Sequence, residues 1–228
     1  MQGIRGILFD KDGTLFDFQA TWGAWARTLL AELSQGDEAL SAAMAAAMAF
    51  DMERGRFRPE SVVIAGTGRE VAELLAPIAR VPVDALERRI AEAAATAPLA
   101  EAVPLRPLLL ALRAAGLKLG VATNDFEGVA RTHVAEVLDL FDFVAGFDSG
   151  HGGKPEPGML LAFARACGLQ PGAVLMVGDS RHDLIAGRRA GMPTLGVLTG
   201  VATEADLADL ADLVCPNIGH LPRILKLT

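Results

Sequence analysis

Two aspartates, Asp10 and Asp12, end an apolar run that begins at Ile7, and Gly13 and Thr14 follow them. A short apolar run of this kind reads as a buried parallel strand. Open α/β sheets bind ligands at the carboxyl ends of such strands. Carboxylates are rare in cores, so the pair is expected at the strand end, facing a cleft. Two carboxylates that close repel each other unless a cation or a shared proton offsets them. Mg²⁺ suits the pair, because it typically takes one or two carboxylates plus oxygens of a substrate phosphate. An Asp-Gly turn alone would also account for Asp12 and Gly13. Partners further along the chain favour the metal reading.

Those partners also stand where strands are expected to end. Asp179 and Asp183 lie in Gly178-Asp179-Ser180-Arg181-His182-Asp183, at a spacing of four. If a helix begins there they sit one turn apart and can share a cation with Asp10. Asp179 also reads as a helix cap. Thr123 and Asn124 close another apolar run. The Thr123 hydroxyl and the Asn124 backbone N–H could hold phosphate oxygens, helped by the start of a helix at Phe126. Lys154 follows a third such run and precedes Pro155, which stiffens the turn.

Two tempting motifs fail. Gly152-Gly153-Lys154 is followed by proline, so it lacks the hydroxyl of a phosphate-binding P-loop. Gly66-Thr67-Gly68 lacks the third glycine of a dinucleotide fingerprint. The four histidines show no ligand spacing; His151 and His182 fall near the strand ends, and the chemistry requires neither.

Asp10-Lys11-Asp12-Gly13-Thr14-Leu15 resembles the first motif of the haloacid dehalogenase superfamily, Asp-x-Asp-x-Thr/Val. The resemblance implies that Asp10 is a nucleophile that becomes phosphorylated and that Asp12 is a general acid and base. A second aspartate marks the phosphatases and mutases of that superfamily and is absent from its dehalogenases and ion-pumping ATPases. Lys154 matches the third motif, where a lysine holds nucleophile and phosphoryl charge together. The segment from Gly178 to Asp183 resembles the acidic Gly-Asp-x-x-x-Asp motif. There the first aspartate ligates Mg²⁺ and the second orders the metal site, directly or through water. The implied metal set is therefore Asp10, the Asp12 carbonyl, Asp179 and Asp183. The resemblance runs the length of the chain and is greatest to phosphoglycolate phosphatases and their relatives.

The elements that must position these residues follow from periodicity. Phe18, Trp22, Trp25, Leu29 and Leu33 share one face of a helix over 17–35. Asp37 is a plausible N-cap for a second helix over 39–52. Helical pattern resumes over 59–64, 69–79 and 83–95, and no strand is expected between residues 16 and 96. From Val103 the rhythm alternates. Helices are expected over 107–115, 126–138, 156–167 and 181–190, and strands over 117–122, 143–145, 173–177, 193–198 and 213–215. Such alternation predicts an α/β fold, a Rossmann-like parallel sheet wrapped by helices on both faces. The expected domains are a core of residues 1–15 and 97–228 and an inserted, all-helical cap of residues 16–96.

The chain has 228 residues, enough for a large core, and its net charge of −7 argues against nucleic acid or an anionic membrane as its main partner. A small phosphorylated metabolite is the expected partner, and the chain is expected to be a monomer or homodimer. Cys167 and Cys215 give neither a disulfide framework nor a metal spacing. No signal peptide pattern opens the sequence, and nothing approaches the ~18 uninterrupted apolar residues of a membrane span. The expected compartment is the cytoplasm.

The reading is therefore a Mg²⁺-dependent phosphatase of a small, phosphoglycolate-like monoester. A phosphomutase resembling β-phosphoglucomutase would use the same residues. A phosphoacceptor receiver module would place its lysine last, whereas here Lys154 precedes Asp179. Substrate choice is expected in the cap. Arg56, with Arg54 and Arg58, is the first candidate for a carboxylate contact, and Arg69 is the reserve.

Overall fold

The computed structural model describes residues 3–64 and 66–227. Met1 and Thr228, the expected ends of the core, lie outside the described residues, and so does the chain start that bears on a signal peptide. The first strand, β1, is Gly6–Phe9. Helices α1 (Phe18–Ser34) and α2 (Glu38–Ala47) follow, then strands β2 (Phe50–Asp51) and β3 (Arg56–Phe57), then helices α3 (Gly68–Ala79) and α4 (Val83–Ala95). Helix and strand then alternate through α5 (Leu105–Ala114), β4 (Lys118–Ala122), α6 (Glu127–His133), β5 (Phe143–Ala145), α7 (Gly158–Ala166), β6 (Val174–Gly178) and α8 (Arg181–Ala190). The chain closes with β7 (Thr194–Val197), α9 (Glu204–Leu207), β8 (Leu213–Cys215) and α10 (Leu221–Ile224).

Six strands form one sheet in the order β5-β4-β1-β6-β7-β8, and every pairing in it is parallel. The chain winds outward from β1 in one direction and then, from β6, in the other. The order therefore reverses between β1 and β6, which is where doubly wound sheets open a crevice. Alternation along the strands divides the core. Ile7, Phe9, Val121 and Val177 face one side with Leu109 and Leu112 of α5. Leu8, Ala122 and Met176 face the other with Phe163 of α7 and Ala186 of α8. Gly120 leaves the Phe163 ring room to lie on the sheet, since a Cβ there would come within 2.7 Å of it. Burying a side chain of that size contributes roughly 1.5–3 kcal/mol.

Helices α1 to α4 bury a second cluster around Trp22, Trp25, Leu29, Met44 and Leu75, which also takes in Phe50 and Phe57 of the strands between them and Val129 of α6. Asp37 does cap α2, accepting from the Leu40 N–H at 2.9 Å. The expected helix over 39–52 stops at Ala47, because Ala49 turns left-handed at φ 51° and the chain enters β2. The segment expected to be all-helical thus carries a two-stranded antiparallel ribbon. Gln19 of α1 pins it, exchanging hydrogen bonds with the N–H and the carbonyl of Phe57, both at 2.9 Å. The stretch 59–64 yields only a 3-10 turn over Val62–Ile64, and the helix expected over 126–138 breaks after His133 into 3-10 turns. Where the chain leaves and re-enters the sheet, Phe16 and Glu101 form an antiparallel bridge. No helix among the described residues is long and apolar enough to cross a membrane.

Candidate active site

The crevice between β1 and β6 receives the acidic residues. Asp10 follows β1, and its N–H donates to the Val177 carbonyl of β6 at 2.8 Å. Asp179 follows β6. Gly13 takes φ +78°, and the loop it belongs to presses so closely on the Asp179 carboxylate that a Cβ at Gly13 would collide with it. Gly200 closes on the same carboxylate from the loop after β7. Thr14 Oγ1 donates to Asp179 Oδ1 at 3.4 Å, and Thr199 Oγ1 donates to the Gly13 carbonyl at 2.6 Å.

The N-cap of α8 is Ser180, not Asp179. Asp183 completes the cap by accepting from the Ser180 N–H at 3.0 Å and its hydroxyl at 2.7 Å, both through Oδ2. Its other oxygen stands 2.6 Å from the ammonium of Lys154. That ammonium also donates to Asp10 Oδ1 at 2.6 Å. Asn124 contributes more than its backbone: its amide brackets Lys154, accepting from the lysine N–H at 2.7 Å and donating to the lysine carbonyl at 2.9 Å. Thr123 is buried beside it, and its hydroxyl accepts from the Asp125 N–H at 3.1 Å.

Oxygens of Asp10, Asp179 and Asp183 lie within 4.8 Å of one another, and all three residues are buried. Burial, then the charge of Asp183, pushes Asp10 up to about 7, although Lys154 opposes the rise. Burial and the charges of Asp10 and Asp183 raise Asp179 well above the carboxylate range. Burial disfavours the Lys154 ammonium, but Asp10 and Asp183 outweigh it and raise its pKa. Asp179 Oδ2 is buried without a hydrogen-bond partner among the described residues. An orphaned carboxylate oxygen among like charges fits a hard divalent cation, which takes oxygen ligands. Asp183 Oδ2 is taken by Ser180, whereas its Oδ1 accepts no hydrogen bond among the described residues and is ion-paired with Lys154, so Asp183 orders its neighbours and would share that one oxygen with a cation.

A cavity of about 70 Å³ is lined by Asp10 and Asp183 of this cluster. Its floor includes Asp10, Asp12, Thr123, Asn124 and Lys154, and its roof is apolar, formed by Phe18, Trp22, Trp25, Val71 and Ile90. A wider cleft of about 510 Å³ runs from Lys154 and Asp179 past Arg181 and His182 to Pro59 and Glu60. The structure brings Asp10, Asp12, Thr123, Asn124, Lys154, Asp179 and Asp183 together. It does not bring Arg56 to either space: Arg56 is exposed on β3. Arg54 is spread over the surface, 3.9 Å from Asp51, and Arg58 reaches Glu60 at 4.0 Å. Arg69 is committed to Glu73, Asp84 and Glu87 at 2.9, 2.7 and 3.0 Å. A short turn between two-residue strands points its charges to water, which explains why this basic loop stays outside.

Lys11, Asp125 and His133, which pack around Asp12, were missed by sequence reasoning, and Lys11 and His133 line neither cavity nor cleft. Lys11 is fully buried, and its ammonium lies 2.8 and 2.7 Å from the two oxygens of Asp12. A lysine flanked by two aspartates was the one available signal.

The sequence model for haloacid dehalogenase-like hydrolases matches residues 4–191. A protein of Shigella boydii named phosphoglycolate phosphatase is 31% identical over 236 residues, covering 95% of this chain and 88% of that protein. Among solved structures, an HAD phosphatase of Thermococcus onnurineus superposes with a TM-score of 0.69 at 22% identity, covering 97% of each chain. A β-phosphoglucomutase of Clostridium difficile superposes with a TM-score of 0.66 at 16% identity, over 96% of this chain and 93% of that one. Likeness at those identities is likeness of fold.

Proposed function

The chain belongs to the haloacid dehalogenase-like hydrolases and is a phosphatase, and from that premise we propose that it hydrolyses a small phosphate monoester, phosphoglycolate or a similar compound, with Mg²⁺ bound and through an aspartyl-phosphate on Asp10. The observation that carries the proposal is the bond from Lys154 to Asp10 Oδ1, made beside the partnerless oxygen of Asp179.

Asp10 Oδ1 accepts from Lys154 and would be the oxygen shared with the Mg²⁺, which leaves Oδ2 to attack phosphorus. Attack forms the Asp10 acyl-phosphate and breaks the bond to the ester oxygen, dividing one hard step into two. The Asp12 carboxyl lines the cavity and gives its proton to the departing oxygen. In the second step the Asp12 carboxylate takes a proton from the water that attacks the acyl-phosphate, which restores Asp10 and releases phosphate. The Lys154 ammonium neutralises phosphoryl oxygens, with the Thr123 hydroxyl and the Asn124 N–H as further donors. The Asn124 amide fixes the lysine backbone from which that ammonium reaches. Positioning and charge stabilisation of this kind supply most of the catalysis in phosphoryl transfer. Asp10, Asp179 and the Asp12 carbonyl would hold the Mg²⁺, with Asp183 steadying the set. When bound, the ion offsets the carboxylate repulsion and draws charge from the phosphoryl group.

Residues 16–96 act as a cap over a core of residues 1–15 and 97–228, turning on the paired crossings at Phe16 and Glu101. Cap closure shields the acyl-phosphate from bulk water.

The test is phosphate release from a panel of monoesters with Mg²⁺ and after exhaustive chelation. Release that stops on chelation and returns with Mg²⁺ supports the proposal. Undiminished release after chelation removes the metal from it. Slow release that a sugar bisphosphate strongly accelerates would replace hydrolysis with phosphoryl return to a sugar.

A further inference from the structure

Lys11 is among the largest side chains with no exposure to solvent, and it lies directly between Asp10 and Asp12 in the chain. An ammonium has three N–H donors and no acceptor. Here it hydrogen-bonds to Asp12 and His133 and pairs by charge with Asp125. The nitrogen lies 2.8 and 2.7 Å from the Asp12 oxygens, 3.2 Å from Asp125 Oδ2 and 2.9 Å from His133 Nδ1. The Trp22 ring of α1 closes the remaining side, its centroid 5.2 Å from the nitrogen.

His133 has only one tautomer that fits. A lysine ammonium cannot accept, so Nδ1 accepts and Nε2 carries the hydrogen. Nε2 then donates to the Ala94 carbonyl of α4 at 2.7 Å. A continuous hydrogen-bonded path thus runs from the last turn of α4, through His133 and Lys11, to the Asp12 carboxylate. Asp12 lines the cavity, whereas Lys11 lies behind it and does not.

We propose that Lys11 is a positioning residue for the acid and base of the reaction, and that His133 fixes Lys11 against α4 so that Asp12 is aligned when the helical layer sits over the crevice. The inference rests on the phosphatase mechanism given above. A carboxylate on a single flexible side chain has several rotamers, and only one directs an oxygen at the ester oxygen of a bound monoester. A buried ammonium touching both oxygens selects that one. The cost of burying the lysine is offset by the charges of two carboxylates and by its hydrogen bonds to Asp12 and His133. A surface lysine would be free of these constraints, so the burial itself requires a reason, and the geometry supplies it.

The experiment compares wild type with Lys11→Met, Lys11→Arg and His133→Gln, using an alkyl phosphate and 2,4-dinitrophenyl phosphate with Mg²⁺. The alkoxide leaves only with a proton from Asp12; the dinitrophenolate needs none. Lys11→Met is expected to lower kcat/KM for the alkyl phosphate by about 10- to 100-fold and to leave kcat/KM for the aryl phosphate within about 2-fold. Lys11→Arg should recover part of the loss. His133→Gln should show the same selective loss, smaller in size, and it decides the matter if Lys11→Met does not fold. Equal losses on both substrates, or no loss on either, would overturn the proposal. A wild type that hydrolyses neither substrate would instead overturn the phosphatase mechanism on which it rests.

Discussion

The ammonium of Lys154 meets Asp10 at 2.6 Å across 144 residues of sequence. That contact joins the loop after β5 to the end of β1, and it is made between two buried groups. Removing one partner of a buried pair leaves an uncompensated charge, which typically costs about 3–5 kcal/mol. Lys154→Met should therefore lower the melting temperature of the metal-free protein, because Asp10, Asp179 and Asp183 then repel one another without relief. Turnover should fall by about 10²–10³-fold, as for loss of one donor to a developing charge. Calorimetry and steady-state kinetics on the same preparation check both; an unchanged melting temperature would mean that the pair is not formed.

Asp179→Asn should abolish the thermal response to Mg²⁺. The Oδ2 of Asp179 has no hydrogen-bond partner among the described residues and, unlike Asp183 Oδ1, no ion pair with Lys154, so it is an oxygen open to a cation. At a free ion concentration about 100-fold above its dissociation constant, a bound ion stabilises the fold by about 2.7 kcal/mol. Wild type should show a rise of that order in unfolding free energy on adding Mg²⁺, and the variant little or none. Ca²⁺ should bind yet support turnover poorly, since it prefers longer bonds and more ligands than Mg²⁺.

Much of this was legible in the sequence because of where the residues fall. Asp10, Thr123 and Asp179 each end an apolar strand, and a strand's end is fixed by the pattern before it. The alternation from Val103 onward gave the sheet for the same reason. The ribbon at Phe50 and Phe57 was not legible, because two-residue strands are too short to alternate and an alanine-rich helical pattern runs into them. Lys11 was hidden for a different reason. Lysine is ordinarily solvated, and only the three-dimensional meeting of Asp12, Asp125 and His133 makes burial tolerable. Asn124 was read for its backbone, whereas its side chain is what brackets Lys154.

His133 makes stability depend on pH. Burial, then the neighbouring Lys11 charge, depresses its pKa to about 4. The groups facing it are Lys11 and Asp12 from the loop after β1, the Trp22 and Phe16 rings, and the Ala94 carbonyl of α4. Above its ordinary pKa of about 6.5 the imidazole is neutral in folded and unfolded chains alike. Between that value and about 4 only the unfolded chain takes up the proton, so this contribution to stability is lost as pH falls and levels off below 4. The full loss is about 3 kcal/mol. Subtracting the denaturation profile of His133→Gln from that of wild type should reveal this slope and sign; a flat difference would show that the ring is not buried neutral.

Arg56 is exposed on β3 and lines neither the cavity nor the wider cleft. Arg56→Ala should therefore change kcat/KM for phosphoglycolate and for an aryl phosphate by less than about 2-fold each. Substitutions on the apolar roof should separate substrates instead: Trp25→Ala, which removes part of the cavity lining, should change the ratio of kcat/KM for the two substrates. A loss confined to the acidic substrate on Arg56→Ala would place the ribbon at the substrate after all.

The account stands on Asp10 carrying the phosphoryl group. The direct measurement is rapid acid quench during turnover with Mg²⁺, followed by borohydride reduction and peptide mapping by mass spectrometry. An acyl-phosphate at Asp10 is reduced at that carboxyl, so the map should show homoserine at position 10 in turning-over enzyme and aspartate in enzyme without substrate. Full turnover with position 10 unmodified, or with the modification at another residue, would contradict the account.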